Sequence, residues 1–346
     1  MQLLLFYRKR YPSAFSIERL FEQLTGVFRG SGLEVSTAEL PHYNNTPGNV
    51  VKNGTWARSR VQGVLGERGP DDTGAPRKLI KHITGDVTSI LFWFSGPTVM
   101  TIHDCNPLLR YPPSHPRHWF YRWMIFEWPA RKADAVTVIS EKTKHELLSL
   151  TNCKPDNLHV IPNFVDPAFR PVSHTFNTAR PVILQVGVKE NKNIARLAEA
   201  LRGIPCRLEI IGEPSPADAE SLRVNDVDYN WLSALTDEEL RQRYGACDLL
   251  SFVSTYEGFG LPILEAQVTG RPVITSNISP HKDVAGEGGA SLVDPTDVSE
   301  IRAGILRIIK DGVYRDQLTK AGAQNAAKYD IAAVAKKYLD LYESLL

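Results

Sequence analysis

Cysteine is scarce in this 346-residue chain, and its four cysteines lie far apart in the sequence. They are Cys105, Cys153, Cys206 and Cys247. Without a C-x-x-C pair, a metal cluster or a disulfide framework is not expected, and a reducing compartment fits. The N-terminus runs into an apolar strand with no basic leader or small-residue cleavage site. We therefore expect a cytoplasmic protein, with peripheral contact to the inner face of the plasma membrane as the alternative.

Long apolar runs and an excess of one charge are also missing. The richest apolar run, Ile90 to Phe94, has the length of a strand and is far too short to span a bilayer. The formal net charge of +1 provides no general attraction to nucleic acid, so no nucleic-acid partner is expected. A hydrophobic content of 42% and a charged content of 23% are typical of a folded globular protein.

Strand-like and helix-like segments alternate along most of the chain, which predicts an α/β fold with parallel sheets wrapped by helices. The length exceeds that of one typical core, so two domains are expected. Predicted strands in the first half are Leu3–Tyr7, Glu34–Leu40, Leu79–Ile83, Thr98–His103 and Ala135–Ile139. Predicted strands in the second half are Pro181–Gly187, Arg207–Gly212, Asp248–Val253, Arg271–Thr275 and Ala290–Val293.

We place the domain boundary in the proline-containing segment after Ile161. The predicted domains are an N-terminal Rossmann-like domain over residues 1–170 and a C-terminal Rossmann-like domain over residues 171–330. The amphipathic segment 331–346 is expected to pack back on the first domain. Two doubly wound domains facing one another would form a cleft at the carboxyl ends of their strands, where open α/β sheets bind ligands.

Two segments do not fit the alternation. Residues 44–77 are polar and rich in Gly, Pro and Asn, which predicts a long surface excursion rather than core. Residues 118–132 mix aromatic residues with cations. For this second segment we expect burial between the domains, and the alternative is an interfacial helix in peripheral contact with a membrane.

The most informative motif is the glycine-containing turn from Tyr256 to Ala266. An apolar strand precedes this turn and a helix follows it. Free backbone N–H groups at the helix start, together with the helix dipole, favour a diphosphate there. Glu257 and Glu265 are placed to contact different parts of one ligand. A solvated turn with exposed glutamates is the alternative. The N–H groups concerned are those of Gly258, Phe259, Gly260 and Leu261.

These motifs together resemble the retaining glycosyltransferases of family 4, which have the GT-B fold. The resemblance covers nearly the whole chain and is strongest from Ala135 to Pro295. Any one piece is weak, and the number and order of the pieces make the match specific. The pieces are His82 to Asp86, Thr101 to Asp104, Thr137 to Glu141, Val160 to Asn163, Gly187 with Lys192-Asn193, Ala246 to Asp248, Ser254 to Ala266, Gly270 to Val273 and Val293 to Pro295.

The resemblance implies transfer of a sugar from a UDP- or GDP-sugar to a hydroxyl of a glycan or lipid-linked acceptor, with retention at the anomeric carbon. The implied setting is bacterial-type surface polysaccharide or glycolipid synthesis. Glu257, His103 and Lys192 are the implied catalytic residues, and Glu265 would bind the ribose. Gly187, Lys189 and the turn Gly258–Leu261 complete the donor site. No D-x-D motif lies near the end of a predicted strand, so no metal or other cofactor is expected.

The first loop departs from the family pattern, because Arg8, Lys9 and Arg10 replace the glycines that many relatives carry. They suggest contact with an anionic acceptor or with a membrane, and a solvated charge run is the alternative. Val188 likewise stands where relatives have an arginine. Further acceptor-side candidates are His82, Gly85, Asp86 and Asp104.

Two other functions remain open at this point. One is a nucleotide-sugar epimerase on the same fold, which would convert the donor without an acceptor. The other is a catalytically idle sugar-nucleotide binding subunit that partners another transferase. The spacing of the two glutamates argues against the first, and intact Glu257, Glu265 and Lys192 argue against the second.

Overall fold

A computed structural model describes residues 1–9, 16–43, 45–66, 78–152 and 156–346. Arg10 and Cys153 lie outside the described residues, as do parts of the segment 44–77. The chain divides into two compact units. The first contains Met1–Asn163 together with Ile331–Leu346, and the second contains Phe164–Asp330. The last helix of the chain therefore belongs to the first unit.

The elements alternate as predicted, and every predicted strand is present with ends shifted by no more than two residues. The strands are β1 Gln2–Tyr7, β2 Glu34–Glu39, β3 Leu79–Ile83, β4 Thr98–Ile102, β5 Ala135–Val138, β6 Leu158–Val160, β7 Val182–Val186, β8 Arg207–Ile211, β9 Tyr229–Leu232, β10 Leu249–Phe252, β11 Val273–Ser276 and β12 Ser291–Val293. The helices are α1 Ser16–Gly30, α2 Pro47–Gly66, α3 Asn106–Arg110, α4 Pro116–Tyr121, α5 Trp128–Lys132, α6 Glu141–Leu150, α7 Ile194–Leu201, α8 Pro216–Val224, α9 Asp237–Ala246, α10 Leu261–Thr269, α11 His281–Ala285, α12 Val298–Lys310, α13 Gly312–Ala326 and α14 Ile331–Ser344.

Each unit contains one parallel sheet, and in the described residues each sheet has six strands. The order is β2-β1-β3-β4-β5-β6 in the first unit and β12-β11-β10-β7-β8-β9 in the second. The predicted α/β class is confirmed. The sequence did not predict β6 and β9, which are short strands at the edges of the two sheets.

The strand order creates one switch point in each sheet. In the first unit the chain leaves β1 toward β2 and returns on the other side of β1 as β3. In the second unit it leaves β7 toward β8 and β9, and returns on the other side of β7 as β10. Loops diverge at such a point, so a crevice opens at the carboxyl ends of the two strands. Most of the predicted site residues follow β1, β3, β4, β7 or β10, whereas His82 lies within β3.

Helix α14 is held on the first sheet by a buried polar network as well as by packing. The ring of His82 is fully buried; its Nδ1 lies 2.6 Å from the Tyr342 hydroxyl and its Nε2 lies 2.8 Å from Thr101 Oγ1. Thr101 Oγ1 in turn lies 2.7 Å from Thr137 Oγ1. Burial, reinforced by the neighbouring His103, lowers the pKa of His82 from 6.5 to about 3, so this ring is neutral.

The interpretation of residues 44–77 as a surface excursion is wrong. Much of the expected surface excursion 44–77 is helix α2, which buries Val50, Ala57 and Val61 in the core of the first unit. The apolar run that begins at Ile90, which has the length of a strand, lies mostly in a 3-10 helix, Thr88–Trp93. Helix α2 packs on that turn, and Gly54 lies directly under the indole of Trp93.

The aromatic segment 118–132 is buried only in part, contrary to expectation. It continues from α4 through a π-helix, Arg122–Glu127, into α5. Ile125 and Phe126 pack into the core of the first unit, whereas Trp119, Trp123 and Trp128 are exposed. None of the helices in the described part of the chain is long and apolar enough to cross a membrane.

Candidate active site

The switch point of the second unit brings together the loops that follow β7 and β10. After β7 the chain turns at Gly187, whose φ is +86°, and then forms a 3-10 turn, Glu190–Lys192. A Cβ at Gly187 would lie 2.8 Å from Lys192 Cε. Glycine is therefore required here for its backbone conformation and for the space that the lysine side chain occupies.

Lys192 and Glu257 form an ion pair at this point. Lys192 Nζ lies 2.6 Å from Glu257 Oε1, and the side chains are 14% and 18% exposed. The same ammonium lies 4.4 Å from the centre of the Phe252 ring. Asn191 Nδ2 donates to Glu257 Oε1 over 3.1 Å and to the Tyr256 carbonyl over 2.6 Å. The catalytic glutamate and lysine predicted from the sequence are thus in direct contact.

The turn after Glu257 leads into helix α10 as predicted. Gly260 is the N-cap residue with a φ of +115°, and no side chain caps the helix. The first backbone N–H groups of a helix have no partner inside it. The start of α10 therefore presents backbone N–H groups and the positive end of the helix dipole. Phe259 is buried and packs edge-on against Tyr329, at 5.9 Å between ring centres.

Glu265, one turn into α10, is held by a tyrosine that sequence reasoning missed. Tyr244 of α9 is fully buried and donates its hydroxyl to Glu265 Oε2 over 2.5 Å. Burial and the adjacent carboxylate raise the pKa of Tyr244, so the phenol keeps its proton and remains a donor. Arg271 supports the end of α9, because its guanidinium donates to the carbonyls of Tyr244 and Gly245.

The remaining second-unit candidates have different surroundings. Lys189 is exposed and its carbonyl accepts from the Lys192 N–H over 2.7 Å. Asp248 of the Ala246–Asp248 motif is buried and structural. Its carboxylate accepts from His174 Nε2 and from the backbone N–H groups of Asn177 and Val182.

The switch point of the first unit contains a cavity of about 80 Å³. Four of the predicted residues line this cavity, namely Arg8, Asp86, His103 and Asp104. Gly85 borders them, since a Cβ there would lie 4.0 Å from Arg8 Cδ. The rest of the lining is largely apolar and includes Ile17, Ile102, Pro107, Ile125 and Phe126.

The hydrogen bond of His103 sets its tautomer. Nε2 lies 2.7 Å from the carbonyl oxygen of Thr84, which can only accept, so Nε2 carries the proton. Burial is the main cause that lowers the pKa of His103. In the neutral ring Nδ1 therefore has a lone pair and accepts hydrogen bonds.

Arg8 is not an unpaired cation facing an anion. Its Nε lies 2.5 Å from the carboxylate of Glu18, which is 1% exposed, and its Nη1 lies 3.3 Å from Asp86. With Asp104 also in the lining, carboxylates outnumber cations around the cavity. Arg8 is therefore already paired with carboxylates, and the expectation of an anionic acceptor at the first loop stays a prediction.

Two acceptor-side predictions need correction. His82 is fully buried with both ring nitrogens bonded, so it does not line the cavity. Lys9 points elsewhere: its Nζ donates to the Pro41 carbonyl over 3.2 Å and lies 4.8 Å from the centre of the Tyr43 ring. Arg10 lies outside the described residues. Within the described ranges, no three His, Cys, Asp or Glu side chains are grouped so that they could hold a metal ion.

Comparison with known proteins matches both halves of the chain. Residues 168–325 match the family described as "Glycosyl transferases group 1" and residues 19–169 match "Glycosyltransferase Family 4". The chain is 26% identical over 310 residues to the serotype-specific mannosyltransferase WbdA of Escherichia coli, covering 77% of this chain and 38% of that protein. It is 27% identical over 274 residues to the O-antigen chain mannosyltransferase B of Escherichia coli, covering 71% of this chain and 70% of that protein.

A likeness in fold extends over the whole chain. The structure of Anabaena Alr3699/HepE in complex with UDP-glucose superimposes with a TM-score of 0.75 at 15% identity, covering 99% of this chain and 100% of that one. At this identity the match concerns the fold, and the predicted GT-B fold is confirmed.

Proposed function

Because the chain belongs to the family 4 glycosyltransferases, we propose that it transfers a sugar from a nucleoside diphosphate sugar to a hydroxyl of a glycan or lipid-linked acceptor. UDP- and GDP-sugars are the proposed donors. We also propose that the anomeric configuration is retained and that no divalent metal is required. The observation that carries the proposal is the Lys192–Glu257 pair, which lies ahead of the uncapped start of α10.

The donor end of the reaction needs positive charge for the leaving diphosphate. Negative charge develops on that group as the bond to the sugar breaks, while the sugar becomes oxocarbenium-like. The start of α10 and the ammonium of Lys192 supply the positive charge that the leaving diphosphate needs. Glu257, held by Lys192 and Asn191, supplies negative charge beside the sugar. The acceptor hydroxyl is proposed to attack the sugar on the same face as the leaving diphosphate, whose phosphate oxygen takes the acceptor's proton. This mechanism needs no carboxylate nucleophile.

Glu265 is proposed to bind the ribose of the donor. The carboxylate of Glu265 accepts from a hydroxyl of Tyr244, and ribose hydroxyls are donors of the same kind. The buried tyrosine fixes the plane of the carboxylate. This role predicts an effect on donor affinity rather than on the chemical step.

The first-unit cavity is proposed to bind a neutral, hydroxyl-bearing part of the acceptor. Asp86 and Asp104 accept hydrogen bonds, and so does Nδ1 of the neutral His103. The charge of Arg8 is offset by buried Glu18. Any anionic portion of a lipid-linked acceptor would bind outside this cavity.

The proposed setting is bacterial-type surface polysaccharide or glycolipid synthesis in the cytoplasm, because O-antigen chain mannosyltransferase B is among the relatives. The chain spans only 38% of WbdA, so the activity of that whole protein is not carried over. Mannose and glucose are the first sugars to test, since they are named for the relatives and for the HepE complex.

Thermal-shift measurements with UDP, GDP, ADP and their sugars test the donor class, because a ligand that binds only the folded protein raises its melting temperature. With the donor identified, Glu257→Ala should lower kcat, and Glu265→Ala should mainly raise the KM for the donor. The exposed Glu287→Ala is the matched control. Wild-type kinetics in both active-site variants, or no response to any nucleotide, would contradict the proposal.

A further inference from the structure

One face of the first unit exposes several large aromatic side chains within a short segment. Trp119, Trp123 and Trp128 are 49%, 45% and 45% exposed. Three of the chain's six tryptophans are thus in water within one helical segment. Exposed tryptophan is costly, so a group of this size marks a surface that is covered in use.

We call the aromatic side chains of this region the tryptophan face and define it as Phe92, Trp93, Trp119, Trp123 and Trp128. The Trp123 and Trp128 rings are 5.9 Å apart, and the Trp128 and Phe92 rings are 5.5 Å apart. The ring centres of Phe92 and Trp93 are 6.2 Å apart. Trp119 lies four residues before Trp123 in the same helical segment.

The helical segment that carries the exposed tryptophans is firmly packed on the first unit. The same helical stretch buries Ile125, Phe126 and Ala130 in the core of the first unit. Glu127, which is 2% exposed, accepts from Arg122 Nε and from the Asn152 N–H, each over 2.7 Å. Opposite sides of one fixed element therefore bury aliphatic groups and present tryptophans.

The charged residues of the segment that carries the three exposed tryptophans are almost all basic. Residues 106–132 contain one acid, Glu127, which is buried and paired with Arg122. The Arg122 guanidinium also lies 5.3 Å from the centre of the Trp119 ring. The net charge of the whole chain is only +1, so cations are concentrated here. The five cations are Arg110, Arg117, Arg122, Arg131 and Lys132.

We propose that the tryptophan face docks on the anionic lipid surface of a membrane. Indole rings prefer the headgroup level of a bilayer, because one end is apolar and the other donates a hydrogen bond. Cations beside them are attracted by anionic headgroups. Cations combined with inserted aromatic residues provide the two signals that stable peripheral binding needs. The inference goes beyond glycosyl transfer and does not rest on it.

Vesicle co-sedimentation tests the proposal on the full-length protein. Wild type should sediment with vesicles of phosphatidylcholine and phosphatidylglycerol, and not with phosphatidylcholine alone. The triple variant Trp119→Gln/Trp123→Gln/Trp128→Gln should lose this binding. Trp231→Gln, at an exposed tryptophan of the second unit (42%), is the matched control and should bind as wild type.

Two double variants test how much the cations contribute to membrane binding. Arg131→Gln/Lys132→Gln removes two exposed cations beside Trp128, and partitioning should weaken roughly twenty- to thirty-fold. Lys310→Gln/Lys320→Gln removes two exposed lysines of the second unit and should change nothing.

A fluorescence measurement on the wild-type protein tests the proposal without depending on whether the variants fold. Tryptophan emission of the wild type should be quenched by lipids brominated on their acyl chains. No quenching, undiminished binding of the triple variant or equal binding to zwitterionic vesicles would overturn the proposal. Self-association in gel filtration that the triple variant abolishes would assign the face to a second copy of the chain and would also overturn it.

Discussion

Lys192 Nζ lies 2.6 Å from Glu257 Oε1, although the two residues are 65 positions apart in the sequence. The strand order brings them together, because β7 and β10 are neighbours at the switch point of the second sheet. The proposed charges for the leaving group and for the sugar are therefore in place before any donor binds. An electrostatic site of this kind needs no rearrangement of charge during the reaction.

The pairing predicts strong coupling between the two residues. Glu257→Gln and Lys192→Met should each lower kcat on the order of 10²–10³-fold. The double variant should be little worse than either single one, because each side chain positions the other. Both side chains are largely buried, so the single variants should also be less stable than the wild type, which melting curves measure separately from kcat. Additive effects on kcat in a double-mutant cycle would mean that the two residues act independently.

Gly187 should be essential for the position of Lys192. An alanine there would strain a backbone with a φ of +86° and place its Cβ 2.8 Å from Lys192 Cε. We expect Gly187→Ala to lower kcat by at least about tenfold, since small displacements of a catalytic group are costly.

Gly203→Ala is the control for Gly187→Ala. Its φ is +69°, but nothing lies within 4 Å of the added Cβ. It should therefore lower the melting temperature to a similar extent and leave kcat unchanged. Equal loss of kcat in both variants would attribute the effect to backbone strain alone.

Tyr244 is expected to act on donor binding through Glu265. Tyr244→Phe removes the 2.5 Å hydrogen bond to the carboxylate while it keeps the buried ring. Loss of a hydrogen bond to a charged group should raise the donor KM roughly ten- to a hundredfold, with kcat nearly unchanged. Tyr229→Phe, at the start of edge strand β9, should leave both constants as in wild type. A proportional loss in kcat would show that Tyr244 acts on the chemical step.

The sequence predicted the strands because parallel strands buried on both faces are nearly continuous apolar runs. Strand β1, Gln2–Tyr7, is buried at every position. The motifs at strand ends were likewise predicted, but which of them are neighbours depends on strand order. Sequence spacing therefore did not reveal that His82 lies in the core while His103 lies at the cavity.

Two segments were misinterpreted, one because of its glycine and proline content and the other because a π-helix changes its residue repeat. Helix α2 contains Pro47, Gly48, Gly54, Gly63 and Gly66, a composition that indicates a loop. Its glycine-containing face is what lets Trp93 approach. In the segment 118–132 the π-helix changes the residue repeat, so Trp123 and Trp128, five positions apart, share one face.

Glycine substitutions in helix α2 test its packing on Trp93. A Cβ at Gly54 would lie 2.1 Å from the indole of Trp93, so the ring or the helix must move. Gly54→Ala should destabilise the protein by about 1–3 kcal/mol through overpacking. Gly63→Ala, in the same helix with nothing within 4 Å, should instead stabilise it by about 0.5–1 kcal/mol. Chemical unfolding curves measure both, and equal effects would contradict the packing of α2 on Trp93.

Stability should also depend on pH through His82. Its folded pKa is about 3, below the ordinary value of 6.5, because the ring is buried and lies near His103. The unfolded chain therefore binds a proton that the folded protein excludes. The contribution of the neutral ring is complete above pH 6.5, and it is lost as the pH falls from 6.5 toward 3, at up to about 1.4 kcal/mol per pH unit.

His82→Gln isolates this effect, because the amide can form hydrogen bonds but does not titrate in this range. At pH 7.5 the variant should be less stable than wild type, since the bonds to Tyr342 and Thr101 are disturbed. As the pH falls toward 4 the difference should shrink, because only the wild type pays the cost of excluding the proton. Melting curves of the wild type and of His82→Gln between pH 7.5 and 4 measure the two slopes. Parallel curves for His82→Gln and wild type would mean that the ring accepts a proton in the folded state as readily as in the unfolded chain.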